Sequence, residues 1–355
     1  MPLLEPSTFY TNGSVPADRA ALERLTALPR LPIVFEPTPV EEMFRLKADL
    51  FRLKAEATGT QRSFRLQAED LRLLVKRDDA IPFGFGGNKV RKLQIVGAQA
   101  LAEGADTLIT TGGVQSNHAR ATAAVAARMG LGCILIANGA PQDTPTANAR
   151  LNRLLGAEIR YVATREARGP AMAQAASELR AQGRKPFVIP LGASTPHGAA
   201  AYAAAIGELL TQIAPPDVIV VATSSGGTQA GIAAGCALRN LRTRVLGVSA
   251  DDPAGVIAGE IRRILGGMEE LLGTPAGALA DVPIEIDDTF VGGGYGVPTP
   301  ASTEATELCA RREALFLDPT YTAKAMAGLI ARIRGRELQG TVLFWHTGGQ
   351  VGLFA

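Results

Sequence analysis

From about residue 92 onward, helical stretches rich in alanine and leucine alternate with short runs of β-branched residues. This alternation is typical of a parallel sheet covered by helices, because parallel strands need long crossover connections that are usually helical. Seven runs are predicted to be strands: Thr107–Thr111, Cys133–Ala137, Ile159–Val162, Pro186–Ile189, Val218–Ala222, Arg244–Val248 and Thr341–Trp345. We therefore expect an α/β fold, and seven strands suit two open, twisted parallel sheets better than one.

The segment Glu41–Asp70 has a different composition. It is dense in Arg, Lys, Glu and Ala, with apolar residues at roughly helical intervals: Met43, Leu46, Leu50 and Leu53. This pattern predicts one or two solvated helices. The length of 355 residues is that of a two-domain chain, since a typical domain has about 150 residues.

Composition excludes several classes of protein. The chain has 36 Lys and Arg against 34 Asp and Glu, and these are scattered, so we expect no nucleic-acid partner. No apolar stretch approaches the 18 or so residues that span a bilayer, so no membrane partner is expected. The N-terminus shows no secretory signal. Three widely spaced cysteines fit neither disulfides nor a metal site, which favours a cytoplasmic setting: Cys133, Cys236 and Cys309.

The first motif with chemical potential is FGGNKVRKL at residues 85–93, a glycine turn that leads directly into a helix. Its first turn carries Lys89, Arg91 and Lys92, although a helix N-terminus already has a partial positive charge. Three cations there make electrostatic sense if an anion binds nearby. Burial would also lower the pKa of Lys89, whose neutral amine could then form a Schiff base. The alternative is a solvated basic start of a helix.

The second motif, SSGGTQAG at residues 224–231, follows a predicted strand and opens a helix. Its glycines allow close approach of an anion, and the hydroxyls of Ser225 and Thr228 can donate to it. The loop matches neither a Walker A loop nor a dinucleotide fingerprint, so it suits a single phosphate on a small cofactor. The alternative is a tight turn with a serine cap.

The third motif, TGGVQSNH at residues 111–118, follows the first predicted strand. Its helix N-terminus could hold a substrate carboxylate, with Ser116 placed for proton transfer. The alternative is an ordinary N-cap at Ser116 with an exposed His118. Two tyrosines on irregular segments, Tyr295 in GGGYG and Tyr321 in DPTYT, could be site residues or core residues.

Taken in order, GGNKVRKL, GGVQSNH, SSGGTQAG, YGVP, LDPTYTAKAM and HTGG resemble the D-cysteine desulfhydrase and 1-aminocyclopropane-1-carboxylate (ACC) deaminase family over roughly residues 32–352. The resemblance implies a tryptophan synthase β-like fold of type II, with two three-layer αβα domains that bind pyridoxal 5′-phosphate (PLP). It implies a large domain of residues 1–95 and 201–355, which would include an N-terminal extension (1–31) and the helical insertion at about 41–70. Residues 96–200 would form the small domain, and the chain would be a homodimer.

The resemblance also implies roles for individual residues. Lys89 would be the Schiff-base lysine, and Ser116, Tyr295 and Tyr321 would also be catalytic. The other implied cofactor contacts are Asn88, Lys92, Asn117, Ser225, Gly226, Gly227, Thr228, Thr322 and Thr347. The implied substrate contacts are Gln115, Ser116, Asn117, His118, Tyr295 and Tyr321.

Two positions favour one branch of this family. The deaminase pattern has glutamate and leucine where this chain has Thr322 and Thr347, and the threonines match the desulfhydrase-like branch. A carboxylate beside the pyridine nitrogen would keep it protonated, whereas a hydroxyl only shares a hydrogen bond. We therefore expect β-elimination from a small amino acid, such as D-cysteine, L-cysteate or 3-chloro-D-alanine. The alternatives are ACC deaminase, a PLP-dependent racemase or β-replacement enzyme, and a non-catalytic small-molecule binder.

Overall fold

The computed structural model describes residues 18–34, 37–58 and 70–355. The described helices are α1 (Arg19–Ala27), α2 (Phe44–Thr58), α3 (Asn88–Ala102), α4 (Asn117–Met129), α5 (Ala147–Leu154), α6 (Arg168–Ala181), α7 (Pro196–Leu210), α8 (Gly227–Leu238), α9 (Ala254–Leu272), α10 (Pro300–Glu313) and α11 (Thr322–Gly335). The described strands are β1 (Val40–Glu42), β2 (Leu71–Arg77), β3 (Thr107–Gly113), β4 (Gly132–Asn138), β5 (Glu158–Val162), β6 (Pro186–Val188), β7 (Val218–Thr223), β8 (Arg244–Ser249), β9 (Glu285–Asp287) and β10 (Gly340–His346).

These strands form two sheets, as predicted. The larger has the order β1-β2-β10-β7-β8-β9 and is parallel except for β1, which runs antiparallel to β2. The smaller has the order β5-β4-β3-β6 and is entirely parallel. All seven predicted strands are present. The sequence patterns did not predict β1, β2 and β9, of which β1 and β9 are only three residues long.

Alternating side chains of the central strands build a core on both faces of the larger sheet. On β7, Ile219 and Val221 belong to the cluster that contains Tyr202 of α7, whereas Val220 faces Met326 of α11. Residue alternation in a strand sends neighbours to opposite faces, so this pattern requires helices on both sides. The larger sheet therefore has the three-layer αβα arrangement that was expected.

The segment predicted as solvated helices is only partly described. Its first residues form β1, α2 follows, and residues 59–69 lie outside the described residues. Met43, Leu46 and Leu50 are buried against the core, so the expectation of a solvated helix is wrong for this face. The apolar spacing already contained that information, because residues three or four apart share a helix face.

The predicted domain boundaries stay a prediction. All strands of the smaller sheet fall within residues 96–200. The boundary at 95/96 lies inside α3 and the boundary at 200/201 lies inside α7, so both helices would continue from one unit to the other. Of the extension at residues 1–31, residues 1–17 lie outside the described part. In the described part, none of the helices combines the length and apolar character needed to cross a membrane.

Candidate active site

A cleft of about 890 Å³, including its open mouth, lies where strands of both sheets end. Ser116, Ser224 and Thr347 come shortly after β3, β7 and β10, and all three line it. Carboxyl ends of parallel strands are the usual place for ligands in α/β proteins. The cleft wall includes most of the predicted site residues: Asn88, Lys89, Lys92, Ser116, Asn117, His118, Ser225, Gly226, Gly227, Thr228, Tyr295, Tyr321 and Thr347.

Lys89 lies in the first turn of α3, directly after a turn at Gly87. Gly87 has a φ of 93°, and its α-carbon approaches the Thr347 carbonyl so closely that a Cβ would stand 2.8 Å from that oxygen. A side chain is therefore excluded there, which explains the glycine. Burial lowers the pKa of Lys89 to about 8, so about a tenth of the amine is neutral at pH 7, far more than for an ordinary lysine.

The three cations of this turn have different surroundings. Lys92 is fully buried, and its Nζ donates to the Gly192 carbonyl (3.1 Å) and the Ser194 hydroxyl (3.4 Å). Arg91 instead points away from the cleft and pairs with Asp78 (2.8 Å) and Glu208 (2.7 Å). The expectation that all three cations need an external anion is thus wrong for Arg91, whose charge is balanced by the protein.

The second motif forms a cradle at the N-terminus of α8. The Ser225 hydroxyl lies 2.8 Å from the Ser194 hydroxyl, which also accepts from the backbone N–H of Gly227 (3.3 Å). Asn88 donates to the hydroxyl of Thr228 over 3.0 Å. Sequence reasoning missed Ser194, which lies in an LGAST segment after β6; the small residues and hydroxyls of this segment were the available signal.

The backbone of the cradle leaves room that a side chain would fill. A Cβ on Gly227 would stand 2.7 Å from the Ser194 hydroxyl and 2.9 Å from the Lys92 amine. A Cβ on Gly192 would stand 2.4 Å from the Ser225 hydroxyl and 3.4 Å from the Lys89 amine. Two lysine amines and two serine hydroxyls therefore surround a pair of glycines, and this set of donors suits a phosphate group.

The third motif caps α4. Ser116 is the N-cap, and its hydroxyl accepts from the backbone N–H of Ala119 (3.2 Å). The side-chain carbonyl of Asn117 accepts from Asn148 (2.8 Å). A Cβ on Gly112 would stand only 2.4 Å from the Ser116 hydroxyl, so glycine lets β3 approach this turn. Ser116 caps the helix and also lines the cleft. The geometry is therefore compatible with both interpretations of this motif, an ordinary N-cap and a substrate site.

His118 is buried, so the alternative of an exposed histidine is wrong. Its Nε2 lies 2.7 Å from the hydroxyl of Thr110, and that hydroxyl donates its proton to the Ile189 carbonyl. With that proton donated to the Ile189 carbonyl, the Thr110 hydroxyl accepts from Nε2. Burial, with the nearby charges of Lys89 and Lys92, holds the pKa of His118 well below its usual range, so the ring is neutral.

The two predicted tyrosines meet at the cleft. Their hydroxyls lie 2.7 Å apart, and their rings make an edge contact with centroids 5.7 Å apart. Burial raises the pKa of both Tyr295 and Tyr321, so both hydroxyls keep their protons at neutral pH. One hydroxyl of the pair can therefore donate to a bound molecule while it accepts from the other.

Two predicted residues lie outside the cleft wall. Gln115 contacts Thr146 and the backbone N–H of Ala149 instead. Thr322 is fully buried, and its hydroxyl donates to the Asp318 carboxylate over 2.7 Å. That carboxylate also accepts backbone N–H groups at the start of α11, including that of Tyr321 (3.0 Å). The predicted contacts of Gln115 and Thr322 with ligands stay predictions.

The cleft also contains charged residues that sequence reasoning did not single out. Arg165 lies between β5 and α6, Arg168 is the first residue of α6, and Asp251 follows β8. Arg165 pairs with Asp251 over 2.8 Å, and its guanidinium lies 5.4 Å from the ring centre of Tyr295. The segment around Arg165 has no glycine-rich or capping signature, so nothing in the sequence pointed to the cleft.

Two further lysines, Lys76 and Lys324, are also buried. Lys76 is buried and pairs with Glu208. Lys324 is buried on α11, where its amine donates to the carbonyls of Ala250 (3.1 Å), Val291 (2.8 Å) and Gly294 (2.8 Å). The last of these immediately precedes Tyr295, so Lys324 fixes the loop that carries this tyrosine. Both lysines have polar partners that leave no free amine for a cofactor.

PLP combines an aldehyde, which bonds to a neutral amine, with a phosphate. Lys89 has a lowered pKa and no carboxylate partner in the described chain, and Lys92 is a buried amine with only a carbonyl and a hydroxyl as partners. The cradle of Ser194, Ser225 and Gly227 lies beside both lysines. These residues fit the aldehyde and the phosphate of PLP.

Comparison with known proteins identifies the class. A family model described as pyridoxal-phosphate dependent enzyme matches residues 52–348, and the chain belongs to this family. PLP is its cofactor, as the sequence analysis predicted. The chain is also 35% identical to D-cysteine desulfhydrase from Klebsiella pneumoniae (strain 342), over 94% of this chain and 98% of the relative. The predicted resemblance is thereby confirmed.

Solved structures confirm the fold class. A crystal structure of an ACC deaminase homologue superimposes with a TM-score of 0.83 at 32% identity, covering 95% of this chain and 96% of the other. Threonine deaminase isoform 2 from Solanum lycopersicum gives a TM-score of 0.66 at 16% identity, covering 98% and 90% of the two chains. The second likeness concerns the fold alone, which is the type II fold of PLP enzymes.

Proposed function

We propose that this protein is a PLP-dependent β-eliminating lyase of the D-cysteine desulfhydrase type. It would convert a β-substituted amino acid to pyruvate, ammonia and the released β-group. The observation that carries the proposal is the position of Lys89, a buried amine of lowered pKa beside the cradle at α8. The likeness to a D-cysteine desulfhydrase over nearly the whole of both chains supports the choice of reaction.

When bound, PLP withdraws electrons from the bonds at the substrate Cα. Lys89 would hold the cofactor covalently and then accept the Cα proton on its Nζ, for which a pKa near 8 is suited. Lys92, Ser194, Ser225, Gly226, Gly227 and Thr228 would bind the phosphate. Asn88 holds Thr228 in place over 3.0 Å, and Thr347 would contact the cofactor from the end of β10.

The substrate would bind between α4 and the tyrosine pair. The first turn of α4, with Ser116 and Asn117, offers backbone N–H groups and a positive helix end to the α-carboxylate. His118, held neutral, would line the same side. Tyr295 and Tyr321 would donate a hydrogen bond toward the β-substituent as negative charge develops on it.

A panel of amino acids tests the reaction. The holoenzyme is incubated with D- and L-cysteine, 3-chloro-D-alanine, L-cysteate and ACC, and keto acid and ammonia are measured. Pyruvate and ammonia in equal amounts from at least one β-substituted amino acid are expected. Appreciable α-ketobutyrate from ACC, with no keto acid from the β-substituted compounds, would overturn the proposal and establish the deaminase.

ACC deaminase is the second candidate because of the likeness to the ACC deaminase homologue. Thr347 at the cleft argues against it, since the resemblance places leucine there in deaminases. Ring opening also needs a pocket shaped for the cyclic skeleton, so electronic adjustment at one or two positions does not suffice.

We also propose that the protein is a cytoplasmic homodimer with one complete site in each subunit. The unpaired, buried cysteines Cys133, Cys236 and Cys309 are consistent with a reducing compartment. Sizing chromatography with light scattering is expected to give twice the chain mass of 37.1 kDa. A species of the single-chain mass at micromolar concentration would contradict the dimer, and recovery in a membrane or extracellular fraction would contradict the location.

A further inference from the structure

We propose that Arg168 binds a negatively charged β-substituent of the substrate, so that the preferred substrates carry an oxyanion such as a sulfonate or phosphate ester on Cβ. This inference rests on the proposed β-elimination and specifies its substrate class. Arg168 would be a specificity-determining residue, and the leaving group would be sulfite or phosphate.

The position of Arg168 supports this assignment. It is the first residue of α6 and lines the same cleft as Lys89, Ser116 and Tyr295. A ligand attached at Lys89 and held by α4 would therefore share one cavity with this guanidinium.

Arg168 has no direct ion pair, although the carboxylates of Glu166 and Asp251 lie near enough to raise its pKa. Its neighbour Arg165 already pairs with Asp251. The Nε of Arg168 donates to the Arg165 carbonyl (2.9 Å), and one terminal nitrogen lies 3.5 Å from the side-chain oxygen of Asn138, a marginal contact. Within the part of the chain that the structure describes, no carboxylate lies within 4.0 Å of Arg168. Arg168 is half-buried and lines the cleft.

Such a guanidinium is suited to an oxyanion. Burial, together with the charge of Arg165, lowers the pKa of Arg168, and the nearby carboxylates of Glu166 and Asp251 offset this only in part. The planar group presents parallel N–H donors that match two oxygens of a sulfonate, phosphate or carboxylate. The N-terminal position on α6 adds to the positive potential.

The α-carboxylate of the substrate does not need Arg168, because the first turn of α4 provides N–H donors for it. A second anion on the substrate is then the remaining partner. A thiol or a chloride is smaller and makes no bidentate pair with a guanidinium, so it would use Arg168 weakly.

The proposed step is balanced. The Cα–H bond breaks and its proton passes to the Lys89 amine, while the Cβ–S bond breaks and its electron pair leaves with sulfite. Water then hydrolyses the released enamine product, so that cysteate and water give pyruvate, hydrogen sulfite and ammonium. With a phosphate ester the Cβ–O bond breaks instead and phosphate leaves. No oxidant or reductant is required.

The test compares anionic with neutral β-substituents in one variant series. We measure kcat/KM for cysteate and O-phosphoserine, in both enantiomers, and for 3-chloroalanine in the matching enantiomers. Arg168→Met should reduce kcat/KM for the anionic substrates roughly 10- to 150-fold, the range of a charge-assisted hydrogen bond, and for 3-chloroalanine less than about 3-fold. Arg168→Lys should give an intermediate loss of kcat/KM, because lysine retains the charge but lacks the planar guanidinium with its parallel N–H donors.

The matched control is Arg180→Met, an exposed arginine on the same helix that does not line the cleft. It should leave all substrates unchanged. Calorimetric binding of 3-sulfopropanoate to the holoenzyme gives a readout without turnover: this dianion has no amine, and its Kd should rise roughly 10-fold or more in Arg168→Met. The wild-type preference for cysteate or O-phosphoserine over 3-chloroalanine is measured independently of any variant.

Equal losses for anionic and neutral substrates in Arg168→Met would overturn the inference, since Arg168 would then serve the shared carboxylate or the fold. No change for either class would also overturn it. A wild-type enzyme that eliminates chloride but neither sulfite nor phosphate would refute this inference and leave the proposed β-elimination intact. Absence of elimination from every compound would refute the proposed function itself.

Discussion

The hydroxyl of Tyr295 lies 2.7 Å from the hydroxyl of Tyr321, although the two residues belong to different segments of the chain. Tyr321 is held at the start of α11 by the Asp318 carboxylate, and Tyr295 is held by a loop that Lys324 anchors. Both tyrosines stay protonated because burial raises their pKa. One hydroxyl of the pair can thus donate a hydrogen bond into the cleft from a fixed position.

If this pair stabilises charge on the leaving group, Tyr295→Phe and Tyr321→Phe should each lower kcat for β-elimination by roughly 10- to 1000-fold, the range for a positioned donor. The double variant should lose less than the product of the two effects, because the residues act as a unit. Steady-state kinetics on all three variants check this, with Tyr161→Phe, which does not line this cleft, as control. Multiplicative losses would indicate independent roles.

Lys89→Ala should abolish covalent attachment of the cofactor and reduce turnover by at least about 10³-fold, because no other described lysine in the cleft has the same setting. Borohydride reduction followed by peptide mass mapping gives the attachment site. Lys185→Ala, at an exposed lysine, is the control. A borohydride-stable adduct in Lys89→Ala would refute the assignment.

Gly227→Ala should weaken PLP binding roughly 5- to 150-fold, because the added methyl group would lie within 3 Å of Ser194 and Lys92 and cost about 1–3 kcal/mol. Equilibrium titration of the apoenzyme with PLP measures the effect. Gly255→Ala is a matched control, since a Cβ there meets no atom within 4 Å and the residue also lies near the start of a helix. Equal affinities in both variants would contradict the placement of the phosphate.

The rate at which the apoenzyme takes up PLP covalently should rise with pH, with a midpoint near 8. Only the neutral amine of Lys89 reacts, and its pKa is lowered to about 8, so the neutral fraction grows from about 1% at pH 6 to about 90% at pH 9. Stopped-flow absorbance across this range measures the rate. A midpoint near the usual lysine value of 10.5 would show that burial does not lower this pKa.

Lys324→Met should lower the free energy of unfolding by about 1–3 kcal/mol and reduce kcat, because three carbonyls, that of Ala250 buried, would lose their donor. Thermal unfolding and kinetics are compared with Lys185→Met. A variant with normal stability but reduced kcat would indicate that Lys324 acts on the tyrosine loop alone. Normal values of both would contradict its role as an anchor.

Much of this architecture is encoded locally. The seven strands were predictable because β-branched runs between helical stretches reflect burial on both faces, as at Val220 and Val221. The glycine turn before Lys89 and the loop at Ser225 were also predictable. Such loops need glycine for backbone reasons that the sequence displays directly. The short strands β1 and β9 were not predictable, because three residues are too few to show the alternation of side chains that marks a strand.

The tertiary structure alone decided which charges are balanced. Lys92 and Arg91 are neighbours on α3, but the helix turns by about 100° per residue and sends them to different surroundings. Arg91 meets Asp78, which follows β2, and Glu208 of α7, whereas Lys92 faces the cradle. The sequence does not show which groups surround either side chain. The energy of a charge depends on what lies within a few ångströms of it in space.

The same reason separates the residues that were found from those that were missed. Lys89, Ser225 and Tyr321 lie in motifs whose local composition marks them. Ser194, Arg168 and Lys324 acquire their roles only from contacts with distant segments, such as the 2.8 Å contact between Ser194 and Ser225 or that of Lys324 with Gly294. The sequence by itself therefore determined the fold class, the cofactor and the backbone of its site. Folding decided which of the remaining polar residues face that site, because only close packing brings their atoms together.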